Sequence, residues 1–344
     1  MNAMMNNPKT FNPESLVRPN IRALQPYSSA RDEFTGDAGI FLDANENPYG
    51  RINRYPDPHQ RLLKKAISER KGIPVENIFI GNGSDEAIDL IYRIFCEPGW
   101  DRVIVCPPTY GMYEVSANIN NVGVIRIPLT DCFELDIDGI LARSARCIFV
   151  CSPNNPTGNR PHNVERLLAE FRGMVVIDEA YIDFCSGGSF LEKLKDHPNL
   201  IVMQTFSKAW GLAGARVGTA FAAASVVALM DRTKPPYNVS TLNQAEALRA
   251  LSDPLEFERQ RAVILAQRAL LGKELEKLPV VRRVYPSEAN FLLTEVTDAN
   301  AIYRYLVDRK VIVRNRDAIV RNSLRITVGT PEENRILLDE LKKL

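Results

Sequence analysis

Short runs of apolar, often β-branched residues recur between residues 77 and 221, separated by longer amphipathic segments. Several runs are apolar at every position, which is typical of strands that helices cover on both faces of a sheet. One intervening segment, SDEAIDLIYRIF, places its apolar residues on a single helical face. This alternation predicts an α/β domain built on a mostly parallel sheet. The seven predicted strands lie at 77–81, 102–106, 123–129, 146–151, 174–179, 200–205 and 215–221.

The pattern changes near residue 240, where two long, highly charged helical segments begin. Strand-like runs at 290–296, 311–316 and 323–330 follow, with a helical segment at 300–310 among them. A chain of 344 residues is long enough for about two domains. We therefore expect a large domain over 36–240 and a smaller α+β domain over 241–344.

The first 35 residues contain four prolines, which interrupt any long helix. This segment, 1–35, predicts an irregular arm that packs with the small domain or with a partner subunit. The prolines are Pro8, Pro13, Pro19 and Pro26.

The charged residues are nearly balanced, with 43 basic and 42 acidic side chains and a net charge of +1. This gives no electrostatic footprint for nucleic acid or for an anionic membrane. The uncharged stretch 217–230 is shorter than the ~20 residues that a membrane span needs. The N-terminus has no apolar core of a secretory signal, and the six cysteines form no CxxC pair. We expect a cytoplasmic protein with reduced cysteines, without a metal site, a nucleic-acid partner or a membrane partner.

The motif GNGSDE follows the first predicted strand and opens the helix at 84–95. The free N–H groups of a helix N-terminus suit a phosphate, and Ser84 and Asp85 lie in this first turn. An ordinary strand–helix turn with Ser84 as the N-cap explains the motif equally well. Because it is neither GxGxxG nor GxxxxGK[ST], the motif argues against a dinucleotide or nucleoside-triphosphate site.

Two further motifs place polar groups at predicted strand ends. In CSPNNPTGN, the flanking prolines fix the adjacent amides of Asn154 and Asn155, which then offer aimed hydrogen-bond donors. In VVIDEAYIDF, Asp178 ends a buried strand, where a carboxylate without a cationic partner is costly, and Tyr181 follows. A plain turn and a helix cap remain the alternatives.

The stretch TFSKAWGLAGARVG at 205–218 carries Lys208 and Arg216 among small and apolar residues. Burial lowers the pKa of a lysine and makes its neutral amine available as a nucleophile and base. Arg216 can bind a phosphate with two parallel hydrogen bonds, and Thr205 and Ser207 add hydroxyl groups. The alternative is a lysine that extends to solvent and an arginine in an ion pair. Together, the amine, carboxylate, phenol, amide and phosphate site are the groups that pyridoxal phosphate requires.

From about residue 18 to its end, the chain resembles the fold-type I pyridoxal-phosphate-dependent aminotransferases, and within them the histidinol-phosphate aminotransferase group. The resemblance implies a large domain with a mostly parallel seven-stranded sheet, a smaller α+β domain, and a homodimer with shared active sites. It also implies transamination of L-histidinol phosphate with 2-oxoglutarate in histidine biosynthesis. The motifs that carry the resemblance are LDANENPYG, RYPDP, GNGSDE, PPTYGMY, SPNNPTGN, VVIDEAYIDF, TFSKAWGLAGARVG and LRITVGT.

The resemblance also implies roles for residues at the cofactor ring. Lys208 is expected to bind the cofactor covalently and to carry the reacting proton. Asp178 would contact the pyridine nitrogen, Asn155 and Tyr181 the ring oxygen, and Tyr110 would stack on the ring.

Other implied roles concern the cofactor phosphate and the substrate. Tyr55 is expected to reach the cofactor phosphate of the neighbouring subunit. Arg325 would hold the acidic group of the substrate with Arg314 as a second cation, and Asn47 and Tyr27 would add substrate contacts. The implied phosphate site within the subunit consists of Ser84, Asp85, Thr205, Ser207 and Arg216.

Several functions remain open from the residues alone. An aromatic amino acid aminotransferase and a threonine-phosphate decarboxylase use similar motifs. A non-catalytic regulatory module that binds pyridoxal phosphate is a third alternative, but the first ~35 residues are too short for a helix-turn-helix. A nicotinamide-dependent dehydrogenase would fit the strand–helix alternation but lacks the glycine fingerprint.

Overall fold

A seven-stranded sheet forms the centre of the larger part of the molecule, in the order β1-β7-β6-β5-β4-β2-β3. A computed structural model of the chain describes residues 11–29, 31 and 39–344. Strand β7 runs antiparallel to both its neighbours, and the other pairs are parallel, which confirms the predicted mostly parallel sheet. The strands are β1 (Ile78–Asn82), β2 (Arg102–Val105), β3 (Gly123–Arg126), β4 (Cys147–Cys151), β5 (Met174–Asp178), β6 (Leu200–Thr205) and β7 (Val217–Ala222).

Helices cover both faces of this sheet. Within β5, Val175 and Ile177 point into one core cluster, and Met174 and Val176 point into the other. This two-sided burial is the reason that several of the strand sequences, such as that of β4, are apolar at every position. The helices of the chain are α1 (Pro19–Arg22), α2 (Arg61–Lys71), α3 (Ser84–Phe95), α4 (Met112–Ile119), α5 (Ile137–Leu141), α6 (Val164–Glu170), α7 (Ala224–Thr233), α8 (Thr241–Leu251), α9 (Pro254–Leu275), α10 (Ala299–Asp308) and α11 (Pro331–Leu341).

A second, antiparallel sheet follows in the order β10-β11-β9-β8. Sequence reasoning did not identify β8, because its VRRV sequence carries two exposed arginines. The strands are β8 (Val281–Val284), β9 (Phe291–Val296), β10 (Arg314–Asn315) and β11 (Ser323–Thr327).

Helix α9 contributes to the cores of both sheets. Its Phe257 packs in the core of the large sheet, whereas Leu271 and Leu275 pack in the core of the small sheet. Ala247 of the preceding helix also lies in the large core. The change of core therefore falls within α9 rather than at residue 240, and the domain boundaries given above remain a prediction.

The described part of the N-terminal arm packs on helices of the large sheet rather than on the small sheet. Val17 and Ile21 lie in the core cluster that contains α3, and Arg18 forms a 3.1 Å ion pair with Glu97. Pro13 occupies the first position of a short 3-10 turn, as Pro19 does in α1, because proline suits the first residue of a helix. Residues 1–10, 30 and 32–38 of the predicted arm and of the start of the large domain lie outside the described residues.

The parallel strands bring three predicted motifs to one edge of the sheet. Strands β4, β5 and β6 end at Cys151, Asp178 and Thr205, immediately before the asparagine, tyrosine and lysine motifs. Ligands of open α/β sheets bind at this carboxyl edge. Within the described ranges, no helix combines the length and the apolar character needed to cross a bilayer.

Candidate active site

A cavity of about 320 Å³ opens at the carboxyl edge of the large sheet, and arginines of the small sheet form part of its wall. All the predicted site residues line it except Tyr55, Asn47 and Tyr27. The lining residues are Ser84, Asp85, Tyr110, Cys151, Asn155, Asp178, Ala180, Tyr181, Thr205, Ser207, Lys208, Arg216, Arg314, Arg316 and Arg325.

Lys208 follows β6 and extends its amine into this cavity. Its Nζ lies 5.6 Å from the centroid of the Tyr181 ring. The side chain is accessible from the open cavity, yet protein surrounds its other sides. This partial burial, with Arg325 and Arg216 nearby, lowers the pKa of Lys208, and Asp178 opposes the shift only in part. A lowered pKa increases the neutral fraction of the amine, which is the form that attacks a carbonyl carbon.

Asp178 is the last residue of β5 and is 3% exposed. Its carboxylate accepts a 2.7 Å hydrogen bond from the Tyr113 hydroxyl and a 3.1 Å bond from the Ala180 N–H. Burial raises the pKa of Asp178, and these hydrogen bonds oppose that change. The side chain has no ion-pair partner among the described residues. A protonated ring nitrogen of a ligand would provide the missing positive charge.

Arg216 lies beside the start of α3, where the motifs predict an anion site. The N-cap of α3 is Gly83, with φ at 77°, and not Ser84, so no cap side chain occupies the free N–H groups. A Cβ atom at Gly83 would lie 2.5 Å from Nη2 of Arg216, so only glycine permits this approach. Arg216 and the Tyr110 hydroxyl contact the Asp85 carboxylate at 3.2 and 3.1 Å. Helix N–H groups and a guanidinium together suit a phosphate.

The hydroxyl of Thr205 lies beside this anion site. It accepts a 3.1 Å hydrogen bond from the Ser207 N–H and donates to the carbonyl of Val217 at 3.4 Å. It therefore holds the turn that precedes Lys208.

The two adjacent asparagines have different roles, which corrects the prediction that both amides face a ligand. Asn154 donates to Pro108 O at 2.9 Å and to the Thr157 hydroxyl at 2.7 Å, and it accepts from Thr109. The Asn154 amide therefore makes its hydrogen bonds with the loops around the site and not with a ligand in the cavity. Asn155 alone lines the cavity, where its Oδ1 accepts a 2.5 Å hydrogen bond from Arg325 Nη1.

Comparison with known proteins identifies the family of the chain. The sequence model of the protein family "Aminotransferase class I and II" matches residues 40–341 of this chain. The chain belongs to the class I and II aminotransferases.

Relatives of this aminotransferase match it along almost its whole length. It is 52% identical to a histidinol-phosphate aminotransferase of Cytophaga hutchinsonii, over an alignment that covers 96% of this chain and 99% of the relative. A second such relative, from Parabacteroides distasonis, is 50% identical and covers 96% and 98% of the two chains. A crystal structure of histidinol-phosphate aminotransferase from Sinorhizobium meliloti with pyridoxal-5'-phosphate is 26% identical. It covers 84% of this chain and 82% of that chain, with a TM-score of 0.76.

The cofactor of this aminotransferase is pyridoxal phosphate, and the cavity has groups for each part of it. The unpaired Asp178 carboxylate suits the ring nitrogen, Lys208 the aldehyde carbon, and the site at Arg216 and α3 the phosphate. Within the ranges described, no cluster of three side chains that could hold a metal ion is present.

Three predicted residues of the aminotransferase lie away from the cavity of their own subunit. Tyr55 is half exposed, and its ring stacks on Tyr237 with centroids 4.3 Å apart. Asn47 accepts a hydrogen bond from the Tyr49 N–H, and Tyr27 is 75% exposed. Their predicted contacts with cofactor or substrate therefore require another subunit, and they remain predictions.

Sequence reasoning missed several residues of the site, among them Tyr113 and Arg316. Tyr113, which supports Asp178, lies three residues after Tyr110 in PPTYGMY, close to one turn along the chain. Arg316 lies two residues after Arg314, and this spacing places both side chains on one face of an extended segment. Both spacings can be read from the sequence, but they indicate a shared position at the site only when the local secondary structure is known.

Proposed function

We propose that this aminotransferase transfers the amino group of L-histidinol phosphate to 2-oxoglutarate, giving imidazole acetol phosphate and L-glutamate, in histidine biosynthesis. The observation that carries the proposal is the pair Arg314 and Arg325, which lie opposite each other in register across β10 and β11 and line the cavity. Two guanidinium groups suit both a phosphate and a dicarboxylate, the anionic groups of the two substrates. The two relatives that share about half of this sequence are histidinol-phosphate aminotransferases.

The residues of the cavity have separate roles in the reaction. Bound pyridoxal phosphate supplies an electrophilic carbon for the substrate amine and a ring that takes up negative charge. The amine of Lys208 removes the proton from the amine-bearing carbon of the substrate and returns it on the cofactor side. The Asp178 carboxylate holds a proton at the ring nitrogen, and Tyr113 and the Ala180 N–H orient that carboxylate.

The remaining side chains position the two ligands. Arg216 and the first turn of α3 would hold the cofactor phosphate, and Asn155 and Tyr181, which line the cavity, would hold the ring oxygen. Arg325 and Arg314 bind the acidic group of the substrate. With both ends of the reacting pair fixed, the substrate carbon stays within reach of Lys208.

The choice of amino donor tests this proposal directly. The purified holoenzyme should form glutamate from histidinol phosphate and 2-oxoglutarate with a kcat/KM at least about 10²-fold above that with phenylalanine or tyrosine. The reason is that the arginine pair is left incompletely satisfied by a donor without a phosphate. Equal or faster turnover of phenylalanine would instead indicate an aromatic aminotransferase. Release of carbon dioxide from threonine phosphate would indicate the decarboxylase.

We also propose that the enzyme is a homodimer with shared active sites and that it acts in the cytoplasm. The exposed Tyr55 and the apolar residues near it, Ile40, Leu42 and Ile52, suit burial against a second subunit. Free buried thiols suit the reducing cytoplasm. Cys96 and Cys147 are examples, because their sulphurs lie 3.9 Å apart and form no disulfide bond.

The dimer proposal predicts a sedimentation mass of twice the 38.6 kDa chain.

Replacing Tyr55 by alanine should weaken cofactor binding by about tenfold, which is the worth of one hydrogen bond to a charged group. Replacing Tyr49, which is more exposed than Tyr55, should change cofactor binding by less than about threefold. A fully active monomer would contradict the shared site.

A further inference from the structure

Arg316 lines the active-site cavity beside Arg314 and Arg325, and neither the motifs nor the reaction described above gave it a role. The backbone fixes its position. Arg314 lies opposite Arg325, and the Arg316 N–H donates to the carbonyl of Ser323 at 2.9 Å, so the strand pairing continues by one step. Residues two apart in a strand share a face. The small sheet therefore presents three guanidinium groups to the cavity from one face.

This arrangement is unfavourable for the ligand-free protein. Like charges directly opposite each other on paired strands repel. Burial, followed by the charges of Arg325 and Arg314, lowers the pKa of Arg316 to about 10. Among the residues that the structure describes, none of the three arginines has a carboxylate partner. Arg325 donates a hydrogen bond to the neutral Asn155 amide, and its guanidinium lies 5.3 Å from the centroid of the Phe291 ring.

Two buried donor atoms of this cluster have no hydrogen-bond acceptor. They are the Nε atoms of Arg316 and Arg325. A buried donor without an acceptor costs free energy, and the cost is greater for a charged group. An anion that enters the cavity would satisfy both atoms and relieve the repulsion.

We propose that Arg316 is a specificity-determining residue that binds the doubly charged phosphate of the amino donor together with Arg314 and Arg325. This inference rests on the proposed function, since it concerns the same substrate. A carboxylate carries one charge and two oxygens, so it cannot satisfy three guanidinium groups. A phosphate monoester carries about −1.5 to −2 charges at pH 7 and three acceptor oxygens. The third cation therefore favours a phosphorylated donor over a carboxylate donor.

The test measures anion binding to the holoenzyme by calorimetry, without turnover. The probes are propyl phosphate, which carries only the phosphate group, and butanoate, which carries only the carboxylate group. Neither probe has an amine. Replacing Arg316 by methionine should weaken the binding of propyl phosphate about tenfold or more, which is the worth of one hydrogen bond to a charged group. The binding of butanoate should weaken by less than about threefold. Arg316→Lys should restore part of the phosphate affinity, because it keeps the charge but not the planar fork.

Thermal stability distinguishes this role from a structural one. The melting temperature of Arg316→Met should not fall, since the change removes an unpaired cation. The matched control is Arg321→Met. Arg321 is an exposed arginine in the turn before β11 and does not line the cavity, so its replacement should change neither probe's affinity. Unchanged phosphate binding in Arg316→Met, or an equal loss for both probes with a lower melting temperature, would overturn the inference.

The donor assay of the wild-type enzyme separates the two proposals. If histidinol phosphate is not a substrate while propyl phosphate binding still depends on Arg316, the proposed function fails and the phosphate-binding role stands. If histidinol phosphate is turned over and propyl phosphate binding is independent of Arg316, the inference about Arg316 is wrong and the function stands.

Discussion

Replacing Lys208 by alanine is expected to reduce transamination by at least about 10⁴-fold, because the variant loses both the amine that binds the cofactor and the base that moves the proton. The absorbance of lysine-bound cofactor should disappear from the purified protein in the same variant. Glutamate formation and the absorbance spectrum are the two measurements.

The control for this variant is Lys195→Ala, which removes an exposed lysine outside the cavity. It should keep the spectrum and the rate of the wild-type enzyme. Turnover of Lys208→Ala within about tenfold of wild type would exclude Lys208 as the reacting base, since such a base contributes 10²-fold or more.

Replacing Asp178 by asparagine is expected to lower kcat by at least about 10²-fold while the cofactor remains bound. The amide has nearly the same shape but cannot hold a proton at the ring nitrogen, so the ring takes up negative charge poorly. Burial raises the pKa of Asp178, so a neutral amide removes the cost of burying a charge. This gain offsets the loss of one of the two hydrogen bonds that the carboxylate accepts, and the melting temperature of the cofactor-free protein should change little. Rate and melting temperature are measured on the same preparation.

A neighbouring buried carboxylate provides the comparison for Asp178. Glu179 accepts hydrogen bonds from Ser189, Gln204 and the Phe190 N–H and does not line the cavity. Glu179→Gln should reduce stability but leave kcat within about threefold of wild type, because it breaks hydrogen bonds away from the chemistry. A similar loss of kcat in both variants would show that Asp178 acts only through the packing of this strand end.

Prediction from sequence was most accurate where the signal is local. Helix α3 was predicted with the bounds that the structure has, because its apolar face and first turn are complete within one segment. The strands of the large sheet were found to within three residues at either end, because most of them are buried on both faces. The partly exposed strand β3 was predicted three residues too long. Strand β8 was missed for the opposite reason, since its two arginines face solvent.

The site was predictable in its reactive groups but not in its supporting contacts. Lys208, Asp178 and Asn155 stand in motifs whose residue types suggest their chemistry. Whether an amide in NNPTG faces a ligand or the protein depends on which loops surround it, and Asn154 proved to be bound by Thr109 and Thr157. The motif alone does not contain that information, because Thr109 lies 45 residues before Asn154, although Thr157 is only three residues away.

By itself, the sequence determined the order of strands and helices, the family and the set of groups that pyridoxal phosphate requires, because periodicity and motifs are local properties of a chain. Only the tertiary structure decided which of these groups meet. Arg325 reaches Asn155 across 170 residues of sequence because two separate sheets share one cavity. The same packing sets Tyr113 behind Asp178 and adds Arg316 to the arginine pair. Burial and strand pairing, and not residue type, give these side chains their surroundings.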